Sequence, residues 1–222
     1  MSMNIAIDGP AGAGKSTIAK KVAKEMGFIY VDTGAMYRAM ALYILQHGID
    51  EKNEQAIAAV CDDIDVALCY EAGEQRVLLC GEDVSKEIRR EEVGNMASVT
   101  SVYGCVRKKL VSLQQQLAAK EDVIMDGRDI GTCVLPQAPL KIYLTASVET
   151  RAKRRYKELC EKNVTCDLAE IMKDIEDRDY RDMHRKISPL KQAEDAVLVD
   201  SSDMTIDEVV TTIITLAKER MA

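Results

Sequence analysis

Near the start of the chain, Met3-Asn-Ile-Ala-Ile-Asp8 runs into Gly9-Pro-Ala-Gly-Ala-Gly-Lys-Ser16 and then into Thr17-Ile-Ala-Lys-Lys-Val-Ala-Lys-Glu-Met26. The first piece is a short apolar run bounded by glycines, the pattern of a buried strand. From Lys15 to Met26 the apolar residues Ile18, Val22, Ala23 and Met26 recur at helical spacing, and Gly27 stops the pattern. The intervening string fits G-x-x-x-x-G-K-[ST], and it lies between a strand and a helix, the context that this motif requires. A helix start leaves backbone N–H groups unpaired at the positive end of the macrodipole. Glycines let the chain wrap those groups around phosphate oxygens. The stretch Gly9, Pro10, Ala11, Gly12, Ala13, Gly14, Lys15, Ser16 and Thr17 is therefore expected to cradle the phosphates of a nucleoside triphosphate. Lys15 adds a charge at the β- and γ-phosphates, and the Ser16 hydroxyl can ligate Mg²⁺.

Outward from this stretch the same rhythm repeats. Phe28-Ile-Tyr-Val31, Val123-Ile-Met125, Lys141-Ile-Tyr-Leu-Thr145 and Ala196-Val-Leu-Val199 are four more short apolar strings, each lying between helical patterns. Such strands imply a parallel sheet covered on both faces, so the expectation is an α/β fold with five strands. Helical patterns include Ala35 to His47 and a last helix whose start, Thr205 with Glu208, forms a capping box. Its expected buried stripe is Ile206, Val209, Val210, Ile213 and Leu216. One segment breaks the rhythm. Ile64–Tyr70 and Arg76–Cys80 alternate with period two around a turn at Glu71–Gln75, which predicts an antiparallel hairpin. Residues 62–92 are read as an inserted subdomain.

The chain has 222 residues, a formal net charge of −7, 47% hydrophobic and 30% charged residues. This is an ordinary globular composition, with length for one large domain or one carrying an insertion. No apolar run approaches the ~18–20 residues of a membrane span, and the first residues lack a secretory signal pattern. A cytoplasmic protein with no membrane partner is expected. The acidic balance argues against general nucleic-acid binding, which rests on Lys and Arg neutralising phosphates. Seven cysteines, an odd number with no C-x-x-C spacing, suggest neither a disulfide framework nor a zinc site, and His47 and His184 suggest no metal.

The phosphate loop alone does not choose among GTPases, ATPase motors and small-molecule kinases. The guanine-reading string N-K-x-D is missing, and an early loop in 222 residues gives a motor little support. A kinase should carry arginines outside the loop to clamp an anionic acceptor. Such arginines occur in Val31-Asp-Thr-Gly-Ala-Met-Tyr-Arg38, Met125-Asp-Gly-Arg-Asp-Ile-Gly-Thr132 and Asp177-Arg-Asp-Tyr-Arg-Asp-Met-His-Arg185. With the phosphate loop, these strings resemble the bacterial cytidylate (CMP) kinases in order and spacing, from about Asn4 to the last helix.

The resemblance implies a P-loop kinase domain over 1–222: a core of about 1–61, 93–147 and 186–222, the acceptor-side insert at 62–92 and a helical lid at 148–185. It implies ATP as phosphoryl donor, CMP or dCMP as acceptor, Mg²⁺ as cofactor and a monomer. Arg38 and Arg128 would hold the acceptor phosphate, aided by Arg185. Guanidiniums suit this task because they bind oxyanions bidentately and stay charged. Thr33, Ser98, Arg107 and Asp129 would lie against cytosine, whose N4 amine suits a carboxylate acceptor. Arg178 and Asp182 would hold the sugar hydroxyls. Asp32 and Asp126 are candidates to organise Mg²⁺ or its waters. Many relatives resembling this chain have Gly at the position of Ser16 and a hydroxyl one residue later, so Ser16 and Thr17 both stand as metal ligands.

Arg151-Ala-Lys-Arg-Arg155 opens a helix with Ser147 as its expected cap, and positions 151, 154 and 155 share one face. Met on its own, such a cluster suggests nucleic acid or a solvated face. In nucleotide kinases a similarly placed lid carries arginines that close over the phosphates, which makes Arg151 and Arg155 candidates for catalysis with Lys15, Arg38 and Arg128. Two other readings compete: a kinase for a different monophosphate or small metabolite, and a nucleotide-dependent switch using the Arg151 cluster.

Overall fold

A computed structural model describes residues 3–71 and 74–221. In chain order its elements are β1 (Ile5–Asp8), α1 (Lys15–Met26), β2 (Ile29–Asp32), α2 (Thr33–Gln46), α3 (Glu54–Cys61), β3 (Val66–Glu71), β4 (Glu74–Leu79), β5 (Glu82–Asp83), α4 (Glu91–Thr100), α5 (Gly104–Ala118), β6 (Val123–Gly127), β7 (Leu140–Thr145), α6 (Val148–Glu161), α7 (Leu168–His184), β8 (Val197–Asp200) and α8 (Ile206–Met221). Each of the five apolar strings is a strand of one sheet, in the order β2-β6-β1-β7-β8. β1 lies at its centre, parallel to both neighbours, with Ile7 opposite Asp126 and Ile142, and β7 and β8 are also parallel. Every residue of β1 is buried, which is why Ile5, Ala6 and Ile7 are apolar in succession rather than alternating, with Asp8 the one buried charge at the strand's end.

The chain divides into two compact units, Met1–Tyr30 with Glu121–Ala222, and Val31–Lys120. In the first, Ile18, Ala19 and Val22 of α1 pack with Val209, Val210 and Ile213 of α8 against Ile5, Ile7, Ile142 and Leu144. The capping box of α8 forms as expected: Thr205 N donates to Glu208 Oε2 at 2.8 Å and Glu208 N to Thr205 Oγ1 at 3.3 Å. The stripe differs at its ends. Ile206 is exposed, because the first turn of α8 precedes the covered stretch, and Ala217 rather than Leu216 is fully buried.

In the second unit, Met36, Met40 and Ile44 of α2 pack with Ile57, Val77, Leu79, Val106 and Leu110. The predicted hairpin is there, with Val66 opposite Leu79 and Cys69 opposite Arg76, and residues 72 and 73 of its turn lie outside the described residues. It gains a third strand, β5, antiparallel to β4. Two acidic, exposed residues carry no alternation, so β5 leaves no periodic trace in the sequence. Helix α2 begins two residues earlier than its apolar pattern, at Thr33, because the Asp32 carboxylate accepts from Ala35 N at 2.9 Å and caps it. Thr33 and Gly34 thus belong to the first turn of the helix. No helix among the described residues is long and apolar enough to cross a membrane.

Candidate nucleotide site

In the first unit the site starts from the glycines. At Gly9, φ is +151° and a Cβ would stand 1.9 Å from the carbonyl oxygen of Leu144, so only glycine lets the loop leave β1 beside β7. Gly14 is the left-handed N-cap of α1, with φ +86° and no side chain to cap the helix, so the first N–H groups of α1 remain turned toward the loop. Lys15 is 6% exposed and donates to Pro10 O at 2.7 Å, so its ammonium lies folded over the loop. Burial, followed by the charge of Arg128, pushes the Lys15 pKa down to about 7, while Asp126 and Asp8 pull the other way. A lysine desolvated in this way is a group that gains by meeting phosphate.

Next to Lys15, the Ser16 hydroxyl donates to Asp126 Oδ2 at 2.9 Å, and Tyr30 donates to the other oxygen of Asp126 at 2.8 Å. Ser16 Oγ and Asp126 Oδ2 are hard oxygens close together, the donors that Mg²⁺ takes when phosphates and water complete its shell. Asp32 has other work: one oxygen caps α2 and the other meets Arg89 at 3.2 Å. Among the described residues no cluster of three or more His, Cys, Asp or Glu could hold a metal.

Helix α7 and its C-cap make three ion pairs, one with α6 and two with the residues that follow β6. Asp179 meets Arg151 at 2.7 Å, Asp182 meets Arg128 at 2.8 Å and Arg185 meets Asp129 at 3.2 Å. Asp179 and Asp182 lie three residues apart in α7, on one face, and Arg185 is its C-cap three residues further on. For Asp182, burial alone would raise the pKa, but Arg128, Arg178 and Arg185 outweigh it and hold the carboxylate below its usual range. For Arg128, burial opposes the charge, and Asp182 more than compensates. Arg128, Asp129, Asp182 and Arg185 are thereby brought into one network with Lys15 in electrostatic reach, and Arg178 lies in the same field.

The three clustered arginines separate. Arg151 is 4% exposed and bonds in three directions: Nε to Ala146 O at 2.9 Å, one terminal nitrogen to Ala11 O at 3.0 Å, and the other to Asp179. It therefore braces the back of the phosphate loop. Arg154 donates to Ser201 O at 2.6 Å, and Arg155 lies at the surface against Glu158. Ser147 caps α6 as expected, accepting from Thr150 N at 3.1 Å.

In the second unit, Thr33 is buried at the start of α2, and Arg38 follows on the same helix with its Nε 3.9 Å from where a Cβ on Gly94 would stand. Ser98 lies one turn further along the same helix, α4. Arg107, in α5, is buried, with its guanidinium carbon 5.8 Å from the centre of the Tyr37 ring of α2.

Sequence reasoning missed Asp8, Lys141 and Asp179. Asp8 is buried and accepts from Ile130 N and Gly131 N, both at 2.7 Å. Burial raises its pKa to about 6 despite these two bonds. Lys141, also buried, donates to Pro136 O at 2.6 Å and pairs with Asp195 at 2.8 Å. A charged residue inside an otherwise apolar strand was the available signal for Asp8 and Lys141.

Comparison with known proteins adds independent findings. A family model described as Cytidylate kinase matches residues 5–219. The chain is 50% identical over 218 residues to a cytidylate kinase of Lactobacillus johnsonii, covering 98% of this chain and 95% of that protein. It is 51% identical over 214 residues to a cytidylate kinase of Caldicellulosiruptor saccharolyticus, covering 96% and 95%. A gluconokinase from Sinorhizobium meliloti shares the fold at a TM-score of 0.51 and 12% identity, over 99% of this chain and 94% of that one.

Proposed function

The chain belongs to the cytidylate kinase family, and from that premise we propose that it transfers the γ-phosphoryl of ATP to CMP or dCMP, giving CDP or dCDP. The observation that carries this reading is the pairing of Lys15 with Arg128. One side chain lies over a phosphate-binding loop, the other at the neighbouring strand end, and Arg128 is near enough to depress the Lys15 pKa. Cations placed beyond the ends of two neighbouring strands, β1 and β6, suit a reaction in which two phosphates must meet.

Phosphoryl transfer asks for positioning and for neutralisation of charge spreading over the transferred group. Lys15 and the N–H groups at the start of α1 hold the β- and γ-phosphates of ATP. Ser16 would hold Mg²⁺, with Asp126 ordering its waters, and the ion would supply further neutralisation at those phosphates. Arg38 and Arg128, with Arg185, hold the acceptor phosphate in line. Asp129, Thr33, Ser98 and Arg107 read cytosine, and Arg178 and Asp182 hold the sugar. Asp182 and Asp129 already engage Arg128 and Arg185, so these ion pairs keep the arginines extended until an anionic acceptor competes for them. Segment 148–185 acts as the lid, with Arg151 bracing the loop and Arg155 closing over the phosphates, and residues 62–92 form the acceptor-side insert. The enzyme works as a cytoplasmic monomer.

The test is ADP release in a coupled assay with CMP, dCMP, UMP, AMP and shikimate as acceptors. Rapid release with CMP and dCMP is expected, and silence with every acceptor would overturn the reading.

A further inference from the structure

We propose that Asp8 is a specificity-determining positioning residue, whose carboxylate sets the backbone that aims Asp129 at the acceptor base. This rests on the reading of Asp129 as the residue that meets cytosine.

The geometry is narrow. Asp8 ends β1, immediately before the first glycine of the phosphate loop, and lies opposite Gly127 of β6. Its two carboxylate oxygens each accept one backbone N–H, from Ile130 and from Gly131, both at 2.7 Å. Those are the two residues that directly follow Asp129. At Asp129 the chain leaves β6 for a helical turn over Ile130–Val134, with φ −146° and ψ 28°, and Asp129 O accepts from Cys133 N at 2.9 Å. This backbone sets the direction in which the Asp129 side chain leaves the chain, and Arg185, at 3.2 Å, meets the carboxylate at its end. There is little slack, since a Cβ on Gly131 would stand 3.3 Å from Asp8 Oδ2 and 3.1 Å from Lys141 Cδ. Lys141 fixes the far end of the same turn through Pro136 O at 2.6 Å. An ionised carboxylate suits two parallel N–H groups, because each oxygen accepts one and neither carries a proton. An amide of the same shape offers one oxygen and turns an NH₂ toward the second donor, which shifts the turn.

A buried contact of this kind also serves the fold, so the test is a ratio that general damage does not move. The ratio of kcat/KM for CMP to kcat/KM for UMP, at one ATP concentration, cancels any effect on Lys15 or on the donor side. CMP offers an amine where UMP offers a carbonyl oxygen, so a well-aimed Asp129 carboxylate accepts from one and repels the other. Asp8→Asn should lower the ratio by about ten-fold or more, the scale on which a displaced polar contact loses discrimination. Gly131→Ala, which presses on the same joint from the turn side, should lower it in the same direction and decides the matter if Asp8→Asn does not fold. An unchanged ratio in the folded variant would overturn the proposal. Asp129→Asn, measured in parallel, tests the underlying reading separately. Loss of the ratio there with its retention in Asp8→Asn sinks only the role of Asp8. Retention in Asp129→Asn with loss in Asp8→Asn would overturn both, since Asp8 would then act on acceptor choice through a residue other than Asp129.

Discussion

Arg128 donates through Nε to Oδ2 of Asp182 at 2.8 Å, joining the end of β6 to the last turns of α7. Both groups are mostly buried, so removing one partner leaves the other desolvated and unpaired. Such losses typically cost about 3–5 kcal/mol for a deeply buried pair. Asp182→Ala should therefore destabilise the protein by about 2–4 kcal/mol in urea unfolding, the partial exposure of Arg128 accounting for the discount. A change below about 0.5 kcal/mol would show that the pair contributes no more than a surface ion pair.

Lys15 behaves in the opposite sense. Its charge is buried at a cost, shown by the direction of its shift, and it bonds only a carbonyl of its own loop. Lys15→Met should leave thermal stability at pH 7 no lower than the parent's while kcat falls by about two to three orders of magnitude, the scale of losing one preorganised charge contact. Near-normal turnover would remove Lys15 from the phosphates.

Asp8 predicts a pH signature in stability. An acid whose pKa is raised on folding holds its proton more tightly in the folded state, so stability falls as pH climbs between the two values. For Asp8 the window runs from its ordinary 3.8 to about 6. At about 1.4 kcal/mol per unit, the contribution lost across that window is about 3 kcal/mol. Urea midpoints of the parent and of Asp8→Asn, compared from pH 4 to pH 7, should diverge by a slope of this sign. Parallel curves would show that Asp8 titrates at its ordinary value.

The arginines of α6 should part company when replaced. Arg151→Ala withdraws three buried bonds, one of them to Ala11 O in the phosphate loop, and should raise KM for ATP about ten-fold or more while destabilising the fold by about 2–4 kcal/mol. Arg155→Ala breaks an exposed pair with Glu158 and should change stability by less than about 0.5 kcal/mol, lowering kcat alone. Equal losses of stability in both would contradict the division of labour.

How far the sequence could be read follows from these particulars. The five strands were legible because each carries a short apolar run bounded by helical patterns, and the phosphate loop because glycine, lysine and hydroxyl types at fixed spacing leave few other uses. The start of α2 was misjudged by two residues, since its apolar pattern begins at Ala35 but its cap is Asp32. β5 was invisible because two charged residues have no period. Arg151 was legible as a basic residue on a lid-like helix, yet its burial depends on Ala11 and Asp179, 140 residues before it and 28 after it in the chain. The same holds for Asp8 and its bonds to Ile130 and Gly131, 122 and 123 residues away. Spacing along a chain reports local periodicity, and contacts of this range carry none.

The most direct measurement follows the phosphoryl group itself, with ATP labelled at the γ-phosphate, Mg²⁺ and CMP. The label should pass into CDP, with little in inorganic phosphate and far less in UDP when UMP replaces CMP. Label recovered only as inorganic phosphate, or transferred equally to both acceptors, would contradict a kinase that uses Arg128 to hold the acceptor and Asp129 to choose it.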